Sequence, residues 1–261
     1  MRRRLAAIAA LLLSFGCSNE KKIDRDVPHR RTDDAETPDS AAPRAARDYS
    51  VVEITPDGRV LLDGEVMETS TRDLGDGHQV VNQPGLFNRL KQRRETWEIA
   101  RSADTFPGVV GIEAAGDTRG VVLKSVVQAV AFAGYPRITL QIQGTKDFHD
   151  FVFSLPGPAG EQRPEHLAVH VSTKGEAYGA YLEAYDVHAR QTEVSDGELE
   201  GVACSMIARG NEAGAALGET KRRFAAVIHF EESAPASRVA RMLAALEACK
   251  PAPNGLFVSV P

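Results

Sequence analysis

The sequence predicts an α+β protein of two tandem small domains, each in the order β-β-α-β-α-β with its helices packed on one face of a sheet. Three observations predict it. The stretch "GIEAAGDTRGVVLKSVVQAVAFAGYPRITLQI", Gly111 to Ile142, reads as strand, helix, strand. The stretch "IHFEESAPASRVARMLAALEACKPAPNGLFVSV", Ile228 to Val260, reads the same way. Ahead of each lies a pair of alternating runs around a glycine turn and then a helical pattern. The repeat period is a whole domain, so it marks a duplication rather than a solenoid, and a chain of 261 residues has room for two such units.

The first unit opens at Tyr49. In "YSVVEITPDGRVLLDGEVM", Val52 and Ile54 alternate before Pro56-Asp57-Gly58, and Val60 and Leu62 alternate before Asp63-Gly64, which predicts a hairpin. "ETSTRDLGDGHQVVNQP", Glu68 to Pro84, reads as a polar loop. Leu86, Leu90, Trp97 and Ala100 share one helical face, with "KQRRE" outward. A strand follows at Val109 to Ile112. Val121, Val122, Val126, Val127 and Val130 are β-branched and alone would favour a strand. Length, the Gly134 cap signal and Pro136 favour a helix instead. "FHDFVF" then predicts a short edge or pairing strand, and a linker spans 156–165.

The second unit, 166–261, begins with two strands around Lys174-Gly175. Ser195 and Glu198 form a capping box ahead of Leu199, Val202 and Met206. "GNEAGAALGETKRR" reads as loop, Ala225 to Phe230 as strand, Ser237 to Cys249 as helix and Leu256 to Val260 as the closing strand. In the second helix Val239, Met242, Leu243 and Leu246 are spaced by three and four.

The start of the chain is read as processing signal rather than fold. Residues 1–16 pair Arg2, Arg3 and Arg4 with an apolar run ending at Phe15, short for a membrane span. Gly16-Cys17 supplies a lipoprotein-type junction, with Ser14 where such signals usually carry Leu. Two readings follow: lipidation at Cys17 after cleavage, or an ordinary signal peptide with an incidental cysteine. Residues 17–48 are rich in charge, Pro and Ala and predict a disordered tether. An exported chain permits disulfides, and Cys204 and Cys249 are the remaining cysteines. Neighbouring helices on one sheet face can bring them within bridging distance, the other reading being two buried free thiols.

Composition bounds the function. A net charge of −5, more negative still once the three arginines are removed, gives no reason to expect nucleic acid. Aromatics at 6% are sparse for base stacking. There is no Gly-rich phosphate loop, nucleophile elbow or Cys-x-x-Cys pair, so no catalytic residue, cofactor or metal site is expected. His166 and His170 are four apart, a helical ligand spacing that falls in a strand-like run. Asp57, Asp63 and Asp117 read as turn formers. Trp97 reads as core before binding surface, and the basic run Arg89 to Arg94 as a solvated helix face or, alternatively, a contact for anionic wall polymer or lipid headgroups.

The hairpin "VVEITPDGRVLLDGEVM" and "VVGIEAAGDTRGVVLKSVVQAVAFAGYPRITL", with Ala133, Gly134, Ile138 and Leu140, resemble the periplasmic domain of the ExbD/TolR biopolymer-transport family over residues 50–142. Residues 166–260 are similar only in element order, with Cys249 and Lys250 standing near the Ala-Gly ending. The resemblance implies a non-catalytic envelope lipoprotein in the periplasm, acting in transmembrane transport beside motor-complex membrane proteins, an outer-membrane receptor or peptidoglycan. Members carry an aspartate in their transmembrane helix; this apolar segment has none, so proton conduction is not expected. The alternative is a lipid-anchored module that binds peptidoglycan or a small solute with no motor. The two units would pair with each other, or the chain would form the family's homodimer.

Overall fold

The computed structural model describes residues 49–70, 83–153, 167–184, 187–216, 225–250, 252–253 and 255–259. The signal, the tether with Cys17, the expected linker at 156–165 and His166 lie outside the described residues. The fold is α+β, with four helices and one mixed sheet of eleven strands among the described residues.

The first half contributes β1 (Ser50–Ile54), β2 (Arg59–Leu62), β3 (Glu65–Ser70), α1 (Pro84–Ala100), β4 (Val109–Ala114), α2 (Gly120–Phe132), β5 (Arg137–Ile142) and β6 (Phe148–Phe153). The second contributes β7 (Leu167–Lys174), β8 (Ala177–Ala184), β9 (Val187–Val194), α3 (Leu199–Ala216), β10 (Ala225–His229), α4 (Ala236–Glu247) and β11 (Leu256–Val258). Three elements depart from the sequence reading. Glu68 to Ser70 belong to β3 rather than to a loop, because Asp63-Gly64 takes positive φ at both residues and turns the chain tightly back along β2. Residues 187–194 form a further strand on β8. The helix α3 continues through Gly210 and Gly214, both buried, where a loop was expected.

Strand order is β3-β2-β1-β4-β5-β6-β11-β10-β7-β8-β9. Read inward from either edge, the two halves run alike: β3-β2-β1-β4-β5 against β9-β8-β7-β10-β11, with β6 between. Within each half the central strands are parallel and the outer hairpins antiparallel. Of the two readings for β6, edge or pairing strand, the second holds: it sits inside the sheet, antiparallel to β5 and parallel to β11. Both outer hairpins carry a register shift, between Arg59 and Leu61 on one side and between Tyr178 and Ala180 on the other. Such bulges kink an outer strand and hinder edge-to-edge pairing.

The helices share one face and one core. Val52, Ile54, Val110, Ile112, Ile138 and Leu140 pack with residues of α1 and α2, and Val169, Val171, Tyr178, Leu182 and Ile228 with residues of α3 and α4, in a continuous cluster. In α2 all five valines are buried, so β-branched residues are tolerated in a helix whose surroundings supply the packing. Gly134 follows that helix at φ 97°, a conformation other residues rarely adopt. On the far side of the sheet Ala168, Ala225 and Val227 form a second, smaller buried cluster.

The two strand–helix–strand stretches meet at their loops. Ala236 N–H donates to Thr118 O (2.8 Å), Ser237 N–H to Gly116 O (2.9 Å), and Val121 N–H to Glu232 O (2.9 Å). Gly120 is required there: a Cβ would stand 2.2 Å from Glu231 O. His149 on β6 reaches Glu247 on α4, Nδ1 to Oε2 2.9 Å. The structure joins Cys204 on α3 to Cys249, just past α4, through a disulfide with Cα atoms 5.0 Å apart.

Candidate functional site

The C-terminal half of α1 leaves the core. Leu86 and Leu90 are fully buried, while Ala100 is exposed and Trp97 only partly covered. The expected common face therefore divides: two leucines anchor the helix, and Trp97 overhangs the beginnings of β1 and β4. There it forms an aromatic ladder. Trp97 meets Phe106 edge-on with ring centres 5.3 Å apart, and Phe106 meets Tyr135 the same way at 5.0 Å. Each such pair contributes about 0.5–1.5 kcal/mol beyond area burial. The Tyr135 hydroxyl donates to Leu90 O (3.3 Å), and burial pushes its pKa up, so the ring stays neutral.

Tyr49, Ser50, Arg93, Arg101, Pro107 and Val109 complete a cleft of about 730 Å³ around this ladder. Arg93 donates to Ser50 Oγ (2.9 Å) and pairs with Asp63. Asp63 also accepts from Val51 N–H (2.7 Å), so this turn former fixes the hairpin to α1. Arg101 is exposed, with its guanidinium carbon 5.8 Å from the Trp97 ring centre, and pairs with no acidic side chain among the described residues. The cleft thus offers aromatic faces and one available cation. Its described lining carries aromatic rings, hydroxyls and guanidinium groups, an arrangement that suits binding by stacking and charge.

The basic run reads differently in three dimensions. Arg89 pairs with Glu65 (3.1 Å), Lys91 with Glu95 (3.9 Å), Arg93 with Asp63, and Arg94 with Glu98 (2.8 Å). Arg93 and Arg94 are partly covered rather than wholly outward. With its charges locally balanced, this run is a weak magnet for anions, and the available cation in the cleft is Arg101, one residue beyond the helix. Sequence reasoning missed Tyr49, Arg101, Phe106 and Tyr135, whose separation along the chain hides their convergence.

Asp57 accepts from the Thr55 hydroxyl and pairs with Arg59 (2.8 Å); the Thr55 hydrogen bond, helped by the guanidinium, holds its carboxyl below the usual range. It serves the turn. Asp117 lies exposed in the loop before α2. Glu198 accepts from Ser195 N–H (3.1 Å) and from the Ser195 hydroxyl, which lowers its pKa. The Ser195 hydroxyl therefore donates to the carboxylate instead of accepting from the helix, one half of a capping box.

His170 finds a different partner from His166. Its Nδ1 lies 2.9 Å from Nε2 of His229 on β10, and Tyr181 stacks on it at 4.2 Å. Burial, with smaller contributions from His170 and Lys124, pushes His229 down to about 4. Among the described residues no three His, Cys, Asp or Glu side chains converge as a metal centre needs. Nor is any helix there long and apolar enough to cross a membrane.

No family model, curated protein or solved structure matches this chain.

Proposed function

We propose that the chain is a non-catalytic, lipid-tethered module of the bacterial cell envelope. In this reading it is an ExbD/TolR-like domain written twice, whose copies pair with each other in place of a homodimer, and it docks in the periplasm onto a motor complex, an outer-membrane receptor or the wall. The observation that carries the reading is the mirrored strand order around β6, with the two equivalent loops bonded to each other across the middle. The missing intramembrane aspartate makes this an accessory and not a proton carrier. Crosslinking the tagged full chain in its native envelope tests it. Recovery of a polytopic motor subunit or an energised receptor supports the docking role, and recovery of the chain alone overturns it.

A second reading is favoured by the cleft. Aromatic rings beside an available guanidinium suit a sugar polymer bearing carboxylates, which in the envelope is peptidoglycan. The kinked outer strands give this reading additional weight over docking by strand addition. Co-sedimentation with isolated sacculi tests it: Trp97→Ala and Arg101→Ala should each reduce binding several-fold, and undiminished binding by both would remove the cleft from the account.

A further inference from the structure

A separate site lies between α1 and α2. Gln83 occupies the N-cap position of α1, yet its side chain makes no capping hydrogen bond. The residue is 2% exposed, and its Oε1 is buried with no hydrogen-bond partner. A buried acceptor left unmade costs about 1–3 kcal/mol, so it calls for a reason. Gln83 lines a groove of about 270 Å³ together with Pro84, Phe87, Ser125, Gln128, Ala129 and Phe132. Phe132 stands 52% exposed, although its ring is set edge-on against Phe153 at 6.3 Å. An orphan acceptor, uncharged walls that are apolar at Pro84, Phe87, Ala129 and Phe132, and a positioned aromatic ring left to solvent thus occur together. None of the lining residues is charged.

We propose that this groove binds a small uncharged apolar molecule carrying one N–H or O–H donor, the class that includes phenols, indoles and simple apolar amides. The donor meets Gln83 Oε1, and the apolar body lies against Phe87, Ala129 and Phe132. The volume suits a compact molecule, since fuller ligand pockets run to about 300–1,000 Å³. A charged ligand would find no counter-charge in the wall. The site is distinct from the Trp97 cleft, shares no lining residue with it, and does not depend on the docking role.

The test compares indole with benzofuran, near-isosteres of which only indole donates a hydrogen bond, by titration calorimetry on the full chain. Indole should bind saturably and about three- to tenfold more tightly, the worth of one neutral hydrogen bond. Gln83→Leu should abolish the preference. Phe132→Ala, at an exposed position, should weaken both ligands alike while leaving the circular dichroism spectrum unchanged. Equal affinities in the unaltered protein, or no saturable indole binding, would overturn the proposal without recourse to any variant. So would an unchanged preference in Gln83→Leu.

Discussion

The Lys124 ammonium on α2 lies 3.2 Å from the Glu232 carboxylate in the loop before α4, tying one half of the molecule to the other. The lysine side chain is 4% exposed and the glutamate 31%. Lys124 also lies 5.4 Å from the centre of the Phe230 ring. Breaking a buried pair costs most when the deeper charge is left behind. Glu232→Gln should therefore destabilise by about 2–4 kcal/mol and Lys124→Met by less, because Glu232 can hydrate. Urea midpoints measure both, and the reverse order would contradict the assignment of Lys124 as the deeper partner.

Gly120 permits the close approach of the two loops. Its substitution by Ala places a Cβ against the Glu231 carbonyl, and neither atom belongs to a flexible side chain. Helix propensity alone would favour Ala by about 1 kcal/mol. The expected outcome is the opposite, a loss of about 1–3 kcal/mol from overpacking, read as a lower thermal midpoint.

The Cys204–Cys249 disulfide closes a sequence separation of 45 residues. On the loop-entropy estimate its removal costs about 4 kcal/mol. The double Cys→Ser variant should lose stability by that order in denaturant titration. Hydrogen exchange should rise first in α3 and the end of α4, and a uniform rise across both halves would argue against a local staple.

His229 sets a pH dependence. Its folded ring favours the neutral form, titrating at about 4, while an unfolded histidine titrates near 6.5. Stability from this group is therefore complete above about 6.5, falls as pH drops toward about 4, and levels off below, with a total of about 3 kcal/mol. The groups facing it are His170, Tyr181 stacked on that ring, and Lys124. His229→Gln should flatten the stability difference between about pH 7 and about pH 4.5; curves parallel to the unaltered protein would contradict it.

Much of the fold was legible because local signals carried it. Asp63-Gly64, Gly134 and the spacing of Val239, Met242, Leu243 and Leu246 each declare a turn, a cap or a face within a few residues. The strand "VHARQTEV" did not declare itself, since most of its residues are exposed at the sheet's edge and no apolar alternation marks it. Gly210 and Gly214 of α3 read as loop and are buried helix positions instead. Nothing local announces that β6 pairs with β11, about a hundred residues away. The cleft was hidden for the same reason, because Trp97 alone is a core-like residue until Tyr49, Phe106 and Tyr135 arrive beside it. The orphan oxygen of Gln83 is invisible in sequence, being a property of what surrounds it.

If two copies pair within one chain, as proposed, light scattering on residues 49–261 should give the mass of a single chain across a wide concentration range, because the mirrored sheet already supplies the partner. A stable dimer would contradict it and return the molecule to the homodimeric arrangement.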